Sequence, residues 1–223
     1  MARRAWLWIG GGVFCAALAW CAWWYLFVLG RSEQSGGVGS AVLDTAIFSA
    51  FALHHSLFAR DTAKRWLNRV PADLRRSLYV YVASALLMVV CAAWQPIGGD
   101  FYRAGRLGVL HIAVQIAGVW TIARAVSKID PLELAGIRPP RAGEPLQTAG
   151  PYRWVRHPLY LGWVLVVFAT PHITGDRLAF AMLSTAYLMI AVPWEERSLV
   201  GAFGDDYIRY QREVRWRMIP FIY

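Results

Sequence analysis

Four long apolar runs, residues 5–29, 41–58, 78–97 and 107–126, constrain this chain more than anything else in it. Each holds about 18–25 residues, the helix length that crosses roughly 30 Å of hydrocarbon. In lipid every backbone N–H and C=O must be satisfied within the segment or by closed pairing, so such runs fold as helices. A fifth apolar region, 158–193, is broken at Pro171-His172-Ile173-Thr174-Gly175-Asp176. Its halves of about 13–17 residues are short for a full crossing, and they predict a tight helical hairpin. Composition agrees: 57% of the 223 residues are apolar and 17% are charged. The expected fold is therefore an all-α integral membrane protein. It has four long transmembrane helices within 1–127, a Pro-rich loop at 128–157, a C-terminal helical hairpin at 158–193 and an amphipathic tail helix in 194–223. Together these are expected to form one membrane domain.

The net charge of +9 comes from 23 basic and 14 acidic residues, and a basic surplus fits either nucleic acid or a membrane. Its distribution decides between them. With the N-terminus on the cytoplasmic side and the hairpin counted as two crossings, nineteen Lys and Arg fall on that side and four on the other. A positive-inside bias of this size accounts for the charge, so no nucleic acid is needed to explain it. The expected N- and C-termini are cytoplasmic. The apolar run after Arg3-Arg4 is about 25 residues, beyond the 7–15 of a signal core, and reads as a retained helix. Cys15, Cys21 and Cys91 all lie in apolar runs with no CxxC pair and no Cys/His cluster. That argues against zinc or a disulfide framework, and no metal is expected.

Several residues can carry chemistry. His54, His55 and His111 lie in apolar helices, where polar groups are costly and are functional candidates by default. Adjacent histidines point about 100° apart on a helix, so at most one of His54 and His55 could ligate a haem iron facing one direction. Counting Pro158, residues 130–158 hold six of the eleven prolines, so this stretch is a long loop rather than a helix, and long loops are often functional. The loop ends in Gly150-Pro151-Tyr152-Arg153-Trp154-Val155-Arg156-His157-Pro158-Leu159-Tyr160-Leu161-Gly162. This cluster sets cations, an imidazole and phenols around a helix N-terminus, where backbone N–H groups favour an anion such as a carboxylate. Snorkelling of Arg, Trp and Tyr at the membrane interface explains the same composition. Glu195-Glu196 follow the last apolar run and can hold a cationic amine or ribose hydroxyls, or simply favour a helix start. Beyond them Leu199, Phe203, Tyr207, Tyr210 and Val214 recur at helical spacing, as either a surface helix or a lid over the Pro-rich loop.

Taken together, Gly150-Pro151-Tyr152, Arg156-His157-Pro158-Leu159-Tyr160-Leu161-Gly162-Trp163, and Glu195-Glu196-Arg197-Ser198-Leu199 leading to Phe203-Gly204-Asp205-Asp206-Tyr207, Tyr210 and Ile219-Pro220 resemble the isoprenylcysteine carboxyl methyltransferase family. Leu53-His54-His55-Ser56-Leu57-Phe58-Ala59-Arg60, Arg76-Ser77-Leu78-Tyr79 and Ile129-Asp130-Pro131-Leu132-Glu133-Leu134-Ala135-Gly136-Ile137 bring the resemblance closest to its bacterial methanethiol S-methyltransferases. The resemblance implies S-adenosylmethionine as methyl donor and a bacterial inner membrane location. By position, Glu144, Pro145, Leu146, Gln147 and Tyr152 would line the cofactor. His157, Pro158, Leu159 and Tyr160 would continue that wall, and Glu195 and Glu196 would close it. Prenylcysteine enzymes carry an Arg four residues before the matching Glu, and here that place is Ala191, which suits a small apolar thiol. A second departure is Glu213-Val214-Arg215-Trp216, which stands where the family usually has Arg-Val-Pro before its final proline.

Methyl transfer from a sulfonium is an in-line displacement in which the protein positions a thiolate near 3 Å from the methyl carbon. The thiolate is the nucleophile, so a nearby base or cation helps, and His157, Arg156 and His55 are the catalytic candidates. Two other readings stand beside this one: carboxyl methylation of a prenylated or lipidic substrate, and a non-catalytic or redox-partner membrane protein on the same helical frame.

Overall fold

The computed structural model describes residues 1–31, 36–58, 71–138, 143 and 145–223. Glu144 and the basic residues of 60–70 lie outside them. Two compact units form: one of Met1–Asp100, Asp130–Arg141 and Thr174–Arg177, the other of Phe101–Ile129, Ala142–Ile173 and Leu178–Tyr223.

In the first unit α1 (Ala2–Trp23) runs on into a π-helical turn, Trp24–Val28. It is followed by α2 (Gly37–Phe58) and α3 (Ala72–Ala93), and α3 packs against both α1 and α2. Trp8, Ile9, Leu53 and Val89 are exposed, the arrangement expected where the surroundings are lipid rather than water. Polar groups close one end of this unit. Asp176 Oδ1 accepts from Trp94 Nε1 at 2.8 Å and from the Ile97 amide at 2.9 Å, and its Oδ2 accepts from the Gly98 amide at 3.0 Å. Asp44 Oδ1 accepts from the Gln95 amide at 2.8 Å. Arg177 donates to the Leu26 carbonyl at 2.6 Å and lies over the Tyr25 ring, and the Thr174 hydroxyl donates to the Leu29 carbonyl. Each buried charge thus meets backbone or ring partners, as a low-dielectric setting requires.

β1 (Asp100–Arg103) and β2 (His172–Thr174), which lie in the second unit except for Asp100 and Thr174, form a two-stranded sheet. A 3-10 turn, Gly105–Leu107, leads into α4 (Gly108–Val126), which packs against α5 (Pro158–Phe168). The two helices approach to backbone contact at a pair of glycines. A Cβ on Gly118 would sit 2.8 Å from the Gly162 carbonyl oxygen, and one on Gly162 would sit 2.7 Å from that of Gly118. Small residues at such crossings let membrane helices pack closely.

The chain is helical as expected, with one difference in the hairpin. Among the described residues five helical segments are long and apolar enough to cross a membrane: Ala2–Val28, Gly37–Leu57, Leu74–Ala93, Gly105–Val126 and Gly175–Phe203. The expected hairpin arms are unequal. The first, α5, has 11 residues and spans about 16 Å. The second, α6 (Gly175–Phe203), has 29 residues and spans about 43 Å. It runs through Pro193 and carries Glu195 and Glu196 on its last turns, so no new helix begins at Trp194. Membrane helices tolerate such a proline when neighbouring groups satisfy the freed carbonyl. The break comes instead at Gly204, whose φ of 55° lies in the left-handed region that glycine adopts without a Cβ clash. Beyond it, α7 (Asp205–Glu213) holds the buried Tyr207 and Tyr210.

Candidate active site

The expected site residues from the loop and from α6 come together within the second unit. The loop closes in a 3-10 turn, Gly150–Arg153, which packs against α4. His157 then occupies the N-cap of α5 with Pro158 at the first helical position, the place where a missing N–H is not needed. This register points His157 and Tyr160, three residues apart, along one face. Their rings stack with centroids 5.4 Å apart and planes inclined by 4°. Tyr160 donates its hydroxyl to Glu195 Oε2 at 2.8 Å, and His157 Nδ1 lies 3.6 Å from the same oxygen.

The two neighbouring carboxylates have different surroundings. Glu195 is 43% exposed at its side chain, whereas Glu196 is 5% exposed. Glu196 Oε1 receives Arg156 Nε at 2.6 Å and has the Tyr207 hydroxyl at 3.5 Å. Its Oε2 receives Arg217 Nε at 3.1 Å and Gln211 Nε2 at 3.4 Å. Arg156 is itself buried and donates from Nη1 to the carbonyls of Val214 and Arg215, at 2.7 and 2.9 Å. The loop backbone is tied to the same tail, with the Arg156 amide on the Trp216 carbonyl at 2.9 Å and the His157 amide on the Arg217 carbonyl at 2.8 Å. His157 Nε2 faces Glu196 Oε1 at 3.5 Å and is a buried ring nitrogen without a hydrogen-bond partner.

The phenols around this centre are donors. Tyr210 donates to the Tyr152 carbonyl at 2.7 Å. Burial, and then the charge of Glu195, raises Tyr152 above the ordinary tyrosine range. Burial and then Tyr152 raise Tyr210, and burial and then Glu196 raise Tyr207. All three therefore keep their protons at neutral pH.

The remaining candidates are placed differently. Pro145, Leu146 and Gln147 are irregular backbone, with Gln147 Nε2 3.4 Å from the Pro145 carbonyl. Leu159 is half-buried on the first turn of α5. Glu144 lies outside the described residues. His55 belongs to the first unit, where its Nδ1 is 2.9 Å from the Tyr79 hydroxyl, and His54 stacks on the Tyr79 ring. Reading the sequence alone missed Arg217 and Gln211. Tyr207 and Tyr210 were visible as members of a helical stripe, but Arg217 follows the last helix, where no periodicity marks it. Among the described residues no group of three His, Cys, Asp or Glu side chains is arranged to hold a metal ion.

Comparison with known proteins supplies the context for this geometry. The pattern of the isoprenylcysteine carboxyl methyltransferase (ICMT) family matches residues 109–201, which include the His157 segment and both carboxylates. A methanethiol S-methyltransferase of Crocosphaera subtropica is 34% identical over 232 residues, 95% of this chain and 91% of that protein. One of Mycobacterium tuberculosis is 36% identical, over 79% of this chain and 78% of its own length. Nurim of Bos taurus is 28% identical, over 71% and 67%. No solved structure matches.

Proposed function

The chain belongs to the isoprenylcysteine carboxyl methyltransferase family, and from that premise we propose that it transfers a methyl group from S-adenosylmethionine to a small thiol, converting methanethiol to dimethyl sulfide. The observation that carries the reading is the meeting of His157 and Tyr160 with Glu195. It sets two stacked aromatic faces, a half-exposed carboxylate and the imidazole Nδ1, 3.6 Å from that carboxylate, around one point.

This donor set suits the proposed methyl donor. A carboxylate and aromatic faces attract a cation, the faces by their quadrupole, and both an amine and a sulfonium are cations. When bound, S-adenosylmethionine supplies a methyl carbon on a positively charged sulfur, open to in-line attack by a thiolate. Leu146, Gln147, Tyr152, Leu159 and Tyr160 are assigned to hold it, with Glu195 taking the amine or ribose hydroxyls. His157 is assigned to take the thiol proton at Nδ1, since the thiolate is the reactive form and Nδ1 is the ring nitrogen on the Glu195 side, Nε2 being turned to the buried Glu196 at 3.5 Å. The apolar Ala191-Val192-Pro193 approach to Glu195 favours a small thiol over a carboxylate substrate.

The protein is an integral membrane protein. The basic bias of its connecting segments supports a bacterial inner membrane orientation with both termini in the cytoplasm. The test is headspace analysis of cells that express the chain and are fed methanethiol. Dimethyl sulfide is expected from the native chain and reduced on the order of 100-fold in His157→Ala, the scale of a lost general base, at equal membrane abundance. Absence of dimethyl sulfide from the native chain would overturn the reading.

A further inference from the structure

We infer that the two adjacent carboxylates divide the work: Glu195 contacts the methyl donor, while Glu196 is a positioning residue that locks the C-terminal tail, through Arg156 and Arg217, against the backbone of His157. The inference rests on the proposed function and deepens it. It also assigns Arg217, Gln211 and the 214–217 backbone to the site.

Four observations support it. First, both oxygens of Glu196 are engaged by protein donors, Oε1 by Arg156 and Oε2 by Arg217 and Gln211. A carboxylate so saturated has little capacity left for a ligand amine or hydroxyl. Second, Arg156 is engaged too, with Nε on Glu196 and Nη1 on two tail carbonyls. A guanidinium held in this way acts through its neighbours rather than on a thiolate. Third, the tail is attached where it matters, because the amides of Arg156 and His157 take the carbonyls of Trp216 and Arg217. These bonds fix the residue that caps α5 and so set the direction of the imidazole. Fourth, Glu195 has the opposite character, being 43% exposed and held only at Oε2 among the bonds described.

Geometry explains why adjacent residues differ so much. On a helix, neighbours point about 100° apart. On the last turns of α6 one direction faces the tail and the other faces the His157–Tyr160 stack. The tail is closed on itself beyond the lock. The Met218 and Ile219 amides donate to the Tyr223 carbonyl at 2.8 and 3.0 Å, and Tyr223 donates its hydroxyl to the Met189 carbonyl at 3.0 Å. Arg217 lies over the Tyr223 ring at 5.3 Å. The segment 214–223 is therefore a compact strap whose charged fastening is Glu196. The departure Glu213-Val214-Arg215-Trp216 fits here, because the strap offers main-chain carbonyls at 214–217 and makes little demand on side chains there, except at Arg217.

The experiment uses the full chain in detergent, with Glu195→Gln, Glu196→Gln, Arg217→Gln, the Glu196→Gln/Arg217→Gln pair, Arg217→Lys, and Arg209→Ala as control. Two readouts are taken: calorimetric affinity for S-adenosylhomocysteine, and trypsin cleavage after Arg215 without ligand, followed by intact mass. Glu195→Gln is expected to lose binding at least 100-fold with the tail still protected. Glu196→Gln and Arg217→Gln are each expected to weaken binding about tenfold and to free the 214–217 backbone for cleavage after Arg215, whose side chain is already exposed. The pair is expected to be no worse than either single change, since both remove one fastening, and Arg217→Lys is expected to recover part of the loss. Arg217 is 38% exposed at its side chain, so its variants test the idea even if Glu196→Gln fails to fold. Equal losses from Glu195→Gln and Glu196→Gln, additive effects in the pair, or a tail still protected in Arg217→Gln would each overturn the inference. A native chain that binds no S-adenosylhomocysteine yet shows the expected cleavage pattern would overturn the cofactor assignment and leave the tail lock standing.

Discussion

Each unit buries a knot of charges, and the two knots differ in what lies beside them: the first buries Asp44 with its Oδ2 unpartnered, while the second adjoins a half-exposed carboxylate. In the first unit Asp176 meets three donors around residues 94–98 and Arg177 meets backbone carbonyls and a tyrosine ring. In the second, Arg156 and Glu196 are equally well met, but the next residues along each segment are not. His157 turns Nδ1 toward Glu195, 3.6 Å away, and Glu195 is a half-exposed carboxylate. A fully satisfied buried network rigidifies a structure. One that leaves an imidazole and a half-exposed carboxylate beside it has the capacity to bind. The first knot reads as scaffold, and the second as scaffold with a site attached.

The largest effect expected from this difference is functional. Glu195→Gln keeps the size of the side chain and its bond from Tyr160 but removes the charge. Methyl transfer is expected to fall on the order of 100-fold or more, with heat denaturation of the purified protein almost unchanged. The reverse is expected of Asp176→Ala. It strips the acceptor from one indole and two amide N–H groups, and stability is expected to fall by about 3 kcal/mol, the scale of losing charged hydrogen bonds in the interior. Turnover per folded molecule should be nearly native. If Asp176→Ala instead abolished turnover in protein of native stability, the scaffold reading of the first knot would fail.

The first knot was largely illegible in the sequence. Asp44 lies far along the chain from Asp176-Arg177, and only folding shows that the three serve the backbone of the π-helical turn at Tyr25–Leu26 and of residues 95–98. The second was half legible. Arg156, His157 and Glu195-Glu196 were visible because helix starts and ends have local signatures. The roles of Glu195 and Glu196 were not separable, since periodicity gives the angle between neighbours but not which neighbour faces the tail. The long apolar runs announced their helices because bilayer thickness fixes length. The 158–193 region misled for the same reason. Length alone cannot tell that Pro193 stays inside a helix or that the stop is the left-handed Gly204.

A third prediction concerns the contact that carries α5, and with it His157. Gly162→Ala would bring a Cβ to 2.6 Å from Ile122 Cγ1 and 2.7 Å from the Gly118 carbonyl oxygen. The first neighbour can shift, but the second is backbone. Separating the helices by a few tenths of an ångström is expected to cost about 2 kcal/mol, measured as a lower midpoint of heat denaturation. Because α5 holds the imidazole at its N-cap, turnover should fall more steeply than stability. A change confined to stability would show that the crossing of α4 and α5 does not set the position of His157.

The smallest effect is expected from a contact that looks strong by distance alone. Arg209 Nη2 and Asp206 Oδ1 on α7 are 2.5 Å apart, closer than Arg156 and Glu196 at 2.6 Å. Their side chains are 68% and 66% exposed, against 6% and 5% for the buried pair. In water the attraction is screened, and both side chains lose rotamer freedom to meet. Such pairs contribute about 0.2–0.5 kcal/mol on a helix surface. Arg209→Ala is therefore expected to leave both turnover and the denaturation midpoint within error of the native protein. The short separation gives no protection from that outcome, because an ion pair is strengthened by the removal of solvent and not by closeness alone. A measured loss above about 1 kcal/mol, which would be too large for an exposed pair, would mean that α7 is covered in the membrane by something that desolvates it. The contrast between buried and exposed charge would then have to be redrawn with that cover in place.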